Sequence, residues 1–169
     1  MSPVEFRPLR RSDADACDRI IAELPYHFGD PGGRETCATA VRTNEGLVAC
    51  RNGDVIGFLV YERAFDESAE ITWMAVNPAD RRSGVGQLLV SALREQLIAE
   101  GRTLLLVMTV GPSEPEDGVV DSYCGTRAFY ESVGFIPARE WPNFWDVTPA
   151  LLLVMPLSPS WDLAAHTAR

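Results

Sequence analysis

The segment Val76-Asn77-Pro78-Ala79-Asp80-Arg81-Arg82-Ser83-Gly84-Val85-Gly86 has the makings of a phosphate-facing turn. It runs into a strongly amphipathic stretch, so Arg81 and Arg82 fall at the start of a helix. That end of a helix carries partial positive charge and favours acids over arginines. Two arginines there become favourable when an anion neutralises them. Gly84 and Gly86 allow the backbone to approach a ligand closely, and the unsatisfied amides of the first turn point towards it. A pyrophosphate site fits this pattern; a plain strand-to-helix turn with solvated arginines is the alternative. A dinucleotide-binding fold fits less well, because GxGxxG would need a third Gly at position 89, which is Leu.

The surrounding elements follow from periodicity and turn chemistry. Val4–Pro8 reads as a first strand, and Ser12 as the cap of a helix running to about Leu24. Glu35–Thr43 is a second, short helix after the loop Asp30-Pro31-Gly32-Gly33. Leu47–Arg51 and Asp54–Tyr61 flank Asn52-Gly53, the dipeptide that favours a tight hairpin. Glu70–Val76 reads as a strand with Glu70 and Thr72 on one face, Ile71 and Trp73 on the other. Gly84–Glu100 is the best helix, with Val85, Leu88, Leu89, Ala92, Leu93 and Leu97 on one side. Thr103–Val110 is a strand with both faces buried. A loop, Gly111–Asp121, leads to a helix that Asp121 caps and that runs to Val133. A strand at Phe135–Ala138, a loop carrying Trp141, Phe144 and Trp145, and a last strand at Ala150–Leu157 complete the order. Hairpins followed by strand–helix–strand crossovers predict an α/β fold with a mixed sheet. One domain, 1–169, is expected, with its core at about 3–157 and a loosely held tail at 158–169.

Composition narrows the chemistry. The 169 residues carry a net charge of −9, which argues against nucleic acid as a partner. All 15 basic residues are Arg; without Lys there is no Schiff-base chemistry and no Walker-A loop. Two histidines, His27 and His166, leave little for a metal site, and none is expected. Cys17, Cys37, Cys50 and Cys124 lack CxxC spacing and are read as reduced. No apolar run approaches the ~20 residues of a membrane span, and Met1–Arg11 lacks the apolar stretch of a signal peptide. A cytoplasmic protein that engages neither membrane nor nucleic acid is expected, as a monomer or homodimer.

Arg81-x-x-Gly84-x-Gly86, after Met74-Ala75-Val76 and before Gln87-Leu88-Leu89, resembles motif A of the GNAT superfamily of N-acetyltransferases. Thr126-Arg127-Ala128-Phe129-Tyr130-Glu131-Ser132-Val133-Gly134-Phe135 resembles the superfamily's FYxxxGF motif, in the same order and at a typical distance. The resemblance covers roughly residues 3–157. It implies a mostly antiparallel twisted sheet of six to seven strands with helices on both faces. A bulged fourth strand, here Glu70–Val76, would splay from the fifth, Thr103–Val110, to open a V-shaped cleft for acetyl-CoA.

By the same resemblance, backbone groups of Met74, Ala75 and Val76 would pair with the pantetheine arm. Arg81, Arg82, Ser83, Gly84, Val85 and Gly86 would hold the pyrophosphate. Tyr130 matches a Tyr that protonates the departing thiolate; a packed core Tyr is the other reading. Glu70 occupies the strand position where some members place a catalytic base; an exposed strand-end acid is the alternative, and other members use a water chain. Many members have Asn where this chain has Tyr123, and Ala where it has Thr126; Thr126 or Ser122 would then make the substitute contact. The acceptor pocket would draw on Tyr26, His27 and Phe28, the acids Glu114, Glu116, Asp117 and Asp121, and Trp141, Phe144 and Trp145. The implied activity is direct transfer of the acetyl group of acetyl-CoA to a primary amine of a small molecule or peptide. A non-catalytic acyl-CoA-binding module and a small-molecule-binding protein without CoA stand as alternatives.

Overall fold

The computed structural model describes residues 2–25, 27, 31–113, 121–146 and 148–157. The expected tail 158–169 lies outside the described residues. Among the described residues four helices, α1 (Ala14–Ala22), α2 (Pro31–Thr43), α3 (Val85–Ala99) and α4 (Cys124–Ser132), are threaded among seven strands. These are β1 (Glu5–Pro8), β2 (Glu45–Arg51), β3 (Asp54–Phe65), β4 (Ser68–Val76), β5 (Leu104–Val110), β6 (Ile136–Trp145) and β7 (Thr148–Pro156). They form one sheet in the order β1-β2-β3-β4-β5-β7-β6, antiparallel throughout except for the parallel pair β4–β5.

The two faces of the sheet carry separate cores. On one, Leu89, Leu93 and Leu97 of α3 and Tyr130 of α4 pack on Leu59, Ile71, Leu105 and Leu153. On the other, Cys17, Ile20 and Ile21 of α1 and Cys37 and Val41 of α2 pack on Val48, Phe58 and Val60. Each fully buried large aliphatic side chain contributes about 1.5–3 kcal/mol. The buried thiols of Cys17 and Cys37 are pushed up to about 12 by desolvation, which makes them inert packing residues.

Several boundaries differ from the sequence expectation for identifiable reasons. Ser12 does not cap α1. A 3-10 turn, Arg11–Asp13, precedes it, because the buried Asp13 carboxylate accepts a two-pronged contact from Arg7 (2.7 and 2.8 Å) and the Arg10 amide (2.8 Å). Helix α2 begins at Pro31, not Glu35; proline is pre-set for the first helical position. Asp121 lies ahead of α4, where its carboxylate accepts the Tyr123 amide at 3.1 Å and pairs with Arg127. Trp141, Phe144 and Trp145 belong to a strand, β6, and not to a loop. That strand sits at the sheet's edge, where Pro137 and Pro142 are tolerated because the ladder needs no amide from them on the outer side.

The feature that matters most is a bulge. Consecutive residues Val60 and Tyr61 of β3 pair with Trp73 and Ile71 of β4, so Thr72 is left over. Its hydroxyl donates to the Val60 carbonyl at 3.3 Å. The extra residue shifts the alternation: Ile71 faces the α3/α4 core while Trp73 packs on the α1/α2 core. Glu70 therefore shares its face with Trp73, and the expected Ile71/Trp73 pairing is corrected. Bulges bend a strand and increase its twist. The β4–β5 ladder accordingly runs only from Ser68–Leu104 to Ile71–Val107. Past that point the strands separate, β4 still paired with β3 as far as Val76 and β5 with β7 as far as Val110.

A polar network fastens the closed end of this V. Arg63 bridges Glu45 (2.7 Å) and Glu100 (2.8 Å), and Gln96 donates to the buried Tyr61 hydroxyl at 2.8 Å. Arg102 reaches the Asp66 carbonyl at 3.0 Å. Hydrogen bonds from Arg63 and Gln96 hold the Glu100 carboxyl down at about 2, against an ordinary 4.5. A depressed acid contributes stability that is complete above its unfolded value and is lost as pH falls through its folded value. With solvent screening at this partly exposed site, the contribution is about 1 kcal/mol. Glu100→Gln should therefore lower the thermal midpoint by about 2–4 °C at pH 7, and the difference from wild type should shrink between about pH 4.5 and 2. Parallel melting curves across that range would contradict this role.

Candidate active site

The separating strands open a cleft of about 1400 Å³. Residues 70–76 of β4 and Met108–Val110 of β5 form its two walls. The turn after β4 closes one end, α4 contributes Thr126, Phe129 and Tyr130, and β6 contributes Phe144 and Trp145. Leu24, His27 and Gly33 reach it from the α1/α2 side.

The turn is built to present charge and bare amides. A 3-10 turn at Pro78–Asp80 is fixed by the Asn77 side chain, which accepts the Ala79 amide at 2.9 Å, and by the Asn77 amide, which donates to Ile56 at 2.9 Å. Asp80 pairs with Arg51 from β2, and its carbonyl accepts the Ser83 hydroxyl at 2.5 Å. Arg82 (φ +59°) and Gly84 (φ +85°) both take left-handed backbone, which costs a side-chain-bearing residue energy and clusters at functional sites. Among the described residues, nothing accepts the amides of Val85, Gly86 and Gln87, and neither Arg81 nor Arg82 has a carboxylate partner. A Cβ on Gly84 would meet nothing within 4 Å. A Cβ on Gly86 would sit 3.1 Å from the Phe129 ring and 3.2 Å from Met74, so Gly86 lets α3 pack closely on the cleft wall.

Most of the sequence-selected residues gather here. Met74, Ala75, Val76, Arg81, Arg82, Gly84, Gly86, Thr126, Glu70 and Tyr130 all line the cleft. Ser83 does not; its hydroxyl is spent inside the turn. The Val85 side chain is buried in the core, leaving only its amide facing outward. Glu70 is half-buried, and desolvation, reinforced by the nearby Glu62, raises its carboxyl above the ordinary range. Tyr130 is 7% exposed, and burial pushes its phenol well up. Among the described residues its hydroxyl has no hydrogen-bond partner, and its ring packs edge-on against Phe129 and Phe135. A carboxylate whose proton affinity is raised and a phenol that keeps its proton thus line one cleft.

The profile of the acetyltransferase (GNAT) domain matches residues 42–137, more than half the chain and all of the cleft's first wall. The chain belongs to the GNAT family. Solved structures share its fold. A GNAT-family protein from Desulfovibrio desulfuricans superposes with a TM-score of 0.80 at 21% identity, over 92% of this chain and 100% of that one. The ribosomal-protein-S18-alanine N-acetyltransferase from Escherichia coli gives 0.73 at 22%, over 92% and 95%. A Salmonella typhimurium protein, solved with its cofactor acetyl-CoA, gives 0.67 at 19%, over 93% and 95%. Among curated protein sequences no significant match is found.

Two features of this GNAT domain escaped sequence reasoning. Tyr123, which replaces the Asn of many members, donates its hydroxyl to the His27 carbonyl at 2.8 Å, and the two rings lie 5.4 Å apart. That contact ties the α1/α2 side of the cleft to the start of α4. Burial and the nearby Arg81 lower the His27 imidazole, so it stays neutral near pH 7. The second feature is Arg127, buried on α4. It donates to the Val110 carbonyl at 3.0 Å and pairs with Asp121, clamping α4 to the splayed end of β5. Its only sequence signal was a charge on the inner side of a short helix. Tyr26, Phe28, Glu114, Glu116 and Asp117, expected near the acceptor, lie outside the described residues, and Trp141 does not line the cleft.

Because an added Cβ at Gly84 clashes with nothing, Gly84→Ala isolates the backbone cost. The variant should lose about 1–2 kcal/mol, or about 2–8 °C in thermal midpoint. An unchanged midpoint would mean that the turn can reach its shape without the left-handed residue.

Proposed function

We propose that the protein is an acetyl-CoA-dependent N-acetyltransferase that carries a primary amine and the coenzyme in one cleft. The observation that carries this reading is the junction of two things. The separated strands β4 and β5 lead directly to three amides that lack acceptors, and two arginines that lack carboxylate partners, among the described residues. Such a cradle suits a diphosphate, and the unpaired edge of Met74–Val76 suits an extended amide-bearing chain. The acetyl-CoA named with the Salmonella relative and the N-acetyltransferase activity named for the Escherichia coli one support the same reading.

When bound, acetyl-CoA supplies an acetyl group activated as a thioester. The residues of this chain then have separate tasks. Arg81, Arg82 and the amides of Val85, Gly86 and Gln87 hold the diphosphate, and Thr126 lies on the adjoining helix. A free amide of β4 steadies the negative charge that develops on the carbonyl oxygen. An amine arrives as an ammonium, and Glu70 takes the proton it must shed. Tyr130, still protonated because its phenol is raised, gives a proton to the departing sulfur.

Calorimetry should show acetyl-CoA binding, and Arg81→Ala with Arg82→Ala should weaken it by at least tenfold. Absence of binding to the wild type would overturn the reading. Once an acceptor is in hand, Glu70→Gln should lower kcat by about 10²–10⁴-fold. It should also abolish the limb of the pH profile that rises as Glu70 deprotonates, a limb displaced upward from an ordinary carboxyl. Tyr130→Phe should lower kcat with acetyl-CoA affinity unchanged; an intact kcat would remove Tyr130 from the mechanism.

A further inference from the structure

The acceptor side of the cleft has an unusual lining. Helices α1 and α2 pack over β2, β3 and β4, and among the described residues no helix covers the same sheet face further along, on β5, β7 and β6. On that face Glu70 lies opposite Leu106, with Met108 two residues on, and Leu104 is 39% exposed. The bulge at Thr72 brings Trp73 round to the face of Glu70. At the far end of β6, Phe144 and Trp145 stand edge to face, 5.4 Å apart and 49% and 43% exposed, and both line the cleft. Their neighbour Trp141 is covered on one face by Arg139, 4.7 Å from its ring, and lies outside the cleft.

Among the described residues, carboxylates on this side are few. Those lining the cleft are Glu70 and Asp80, and Asp80 is tied to Arg51. One carboxylate without a cationic partner, set among aromatic and aliphatic side chains, matches one ammonium. A second or third ammonium would meet no further free carboxylate among the described residues of the cleft, and an ammonium drawn out of water unpaired costs several kcal/mol.

We propose, building on the acetyltransferase reading, that the acceptor is a small free monoamine with an aromatic body. Its amine lies at Glu70, and its ring packs among Trp73, Met108, Phe144 and Trp145. Offset or edge-to-face ring contacts give such a body specificity beyond area burial, and the ammonium gains from the neighbouring ring faces as it enters.

The test compares 2-phenylethylamine and tryptamine with ethanolamine, with spermidine and with a tetrapeptide beginning in Phe. Initial rates of free-thiol release from acetyl-CoA give kcat/KM. Calorimetry of 2-phenylethylamine with CoA-loaded protein gives a readout independent of turnover. The arylalkylamines should exceed the other three by at least tenfold in kcat/KM. Phe144→Ala with Trp145→Ala should cut both the kcat/KM and the affinity for 2-phenylethylamine at least tenfold, with acetyl-CoA Kd within twofold. Should that variant not fold, the wild-type panel decides alone. Equal or better turnover of ethanolamine, spermidine or the peptide would overturn the proposal and leave the acetyltransferase reading standing. So would unchanged affinity in the folded variant. No thiol release with any of the five amines would overturn the proposal, and absence of acetyl-CoA binding would overturn the acetyltransferase reading with it.

Discussion

The β4–β5 ladder ends four residue pairs after it begins, and nearly everything this protein can do depends on that ending. A parallel pair continued to Val76 and Val110 would satisfy the backbone groups of both strands and leave no cleft. The leftover Thr72 prevents it, by bending β4 away while β3 keeps hold of the strand's outer side. Separation is confined to one end because the other is pinned. Arg63, Gln96, Glu100 and Arg102 knit β2, β3, α3 and the β3–β4 turn together where β4 and β5 still touch. Arg127 performs the matching service at the open end, holding α4 against the last residue of β5.

Electrostatics at the turn are local. The chain as a whole is acidic, with a net charge of −9, but charges beyond about 8 Å are largely screened at physiological salt. Arg7, Arg42, Arg51, Arg63, Arg102 and Arg127 are each paired with a carboxylate. Among the described residues Arg81 and Arg82 have no such partner, and they stand beside amides that also lack acceptors there. The left-handed backbone at Arg82 and Gly84 keeps those amides turned outward, and the Arg51–Asp80 pair anchors the turn to β2.

Much of this was readable in the chain because it rests on short-range signals. Asn52 and Gly53 both take positive φ, as a tight hairpin turn requires, and Leu89, Leu93 and Leu97 of α3 face the core as their spacing predicts, while Leu88, expected beside them, is 47% exposed. Motif A and the FYxxxGF segment located the turn and Tyr130. What stayed hidden depends on geometry that spacing cannot encode. One bulged residue reverses the facing of Trp73 relative to Ile71, so strict alternation misassigned it. Pro142 disguised the second half of the edge strand β6 as a loop, although its first half was legible at Phe135–Ala138. The Tyr123–His27 bond joins residues 96 positions apart, and neither carries a local mark of the other.

A crystal structure of the protein with CoA tests the central claim most directly. The account predicts the pantetheine arm lying between Met74–Val76 and Met108–Val110, with the diphosphate on the amides of Val85, Gly86 and Gln87. Coenzyme bound outside the strands' separation, or a β4–β5 ladder that zips closed in its presence, would contradict it.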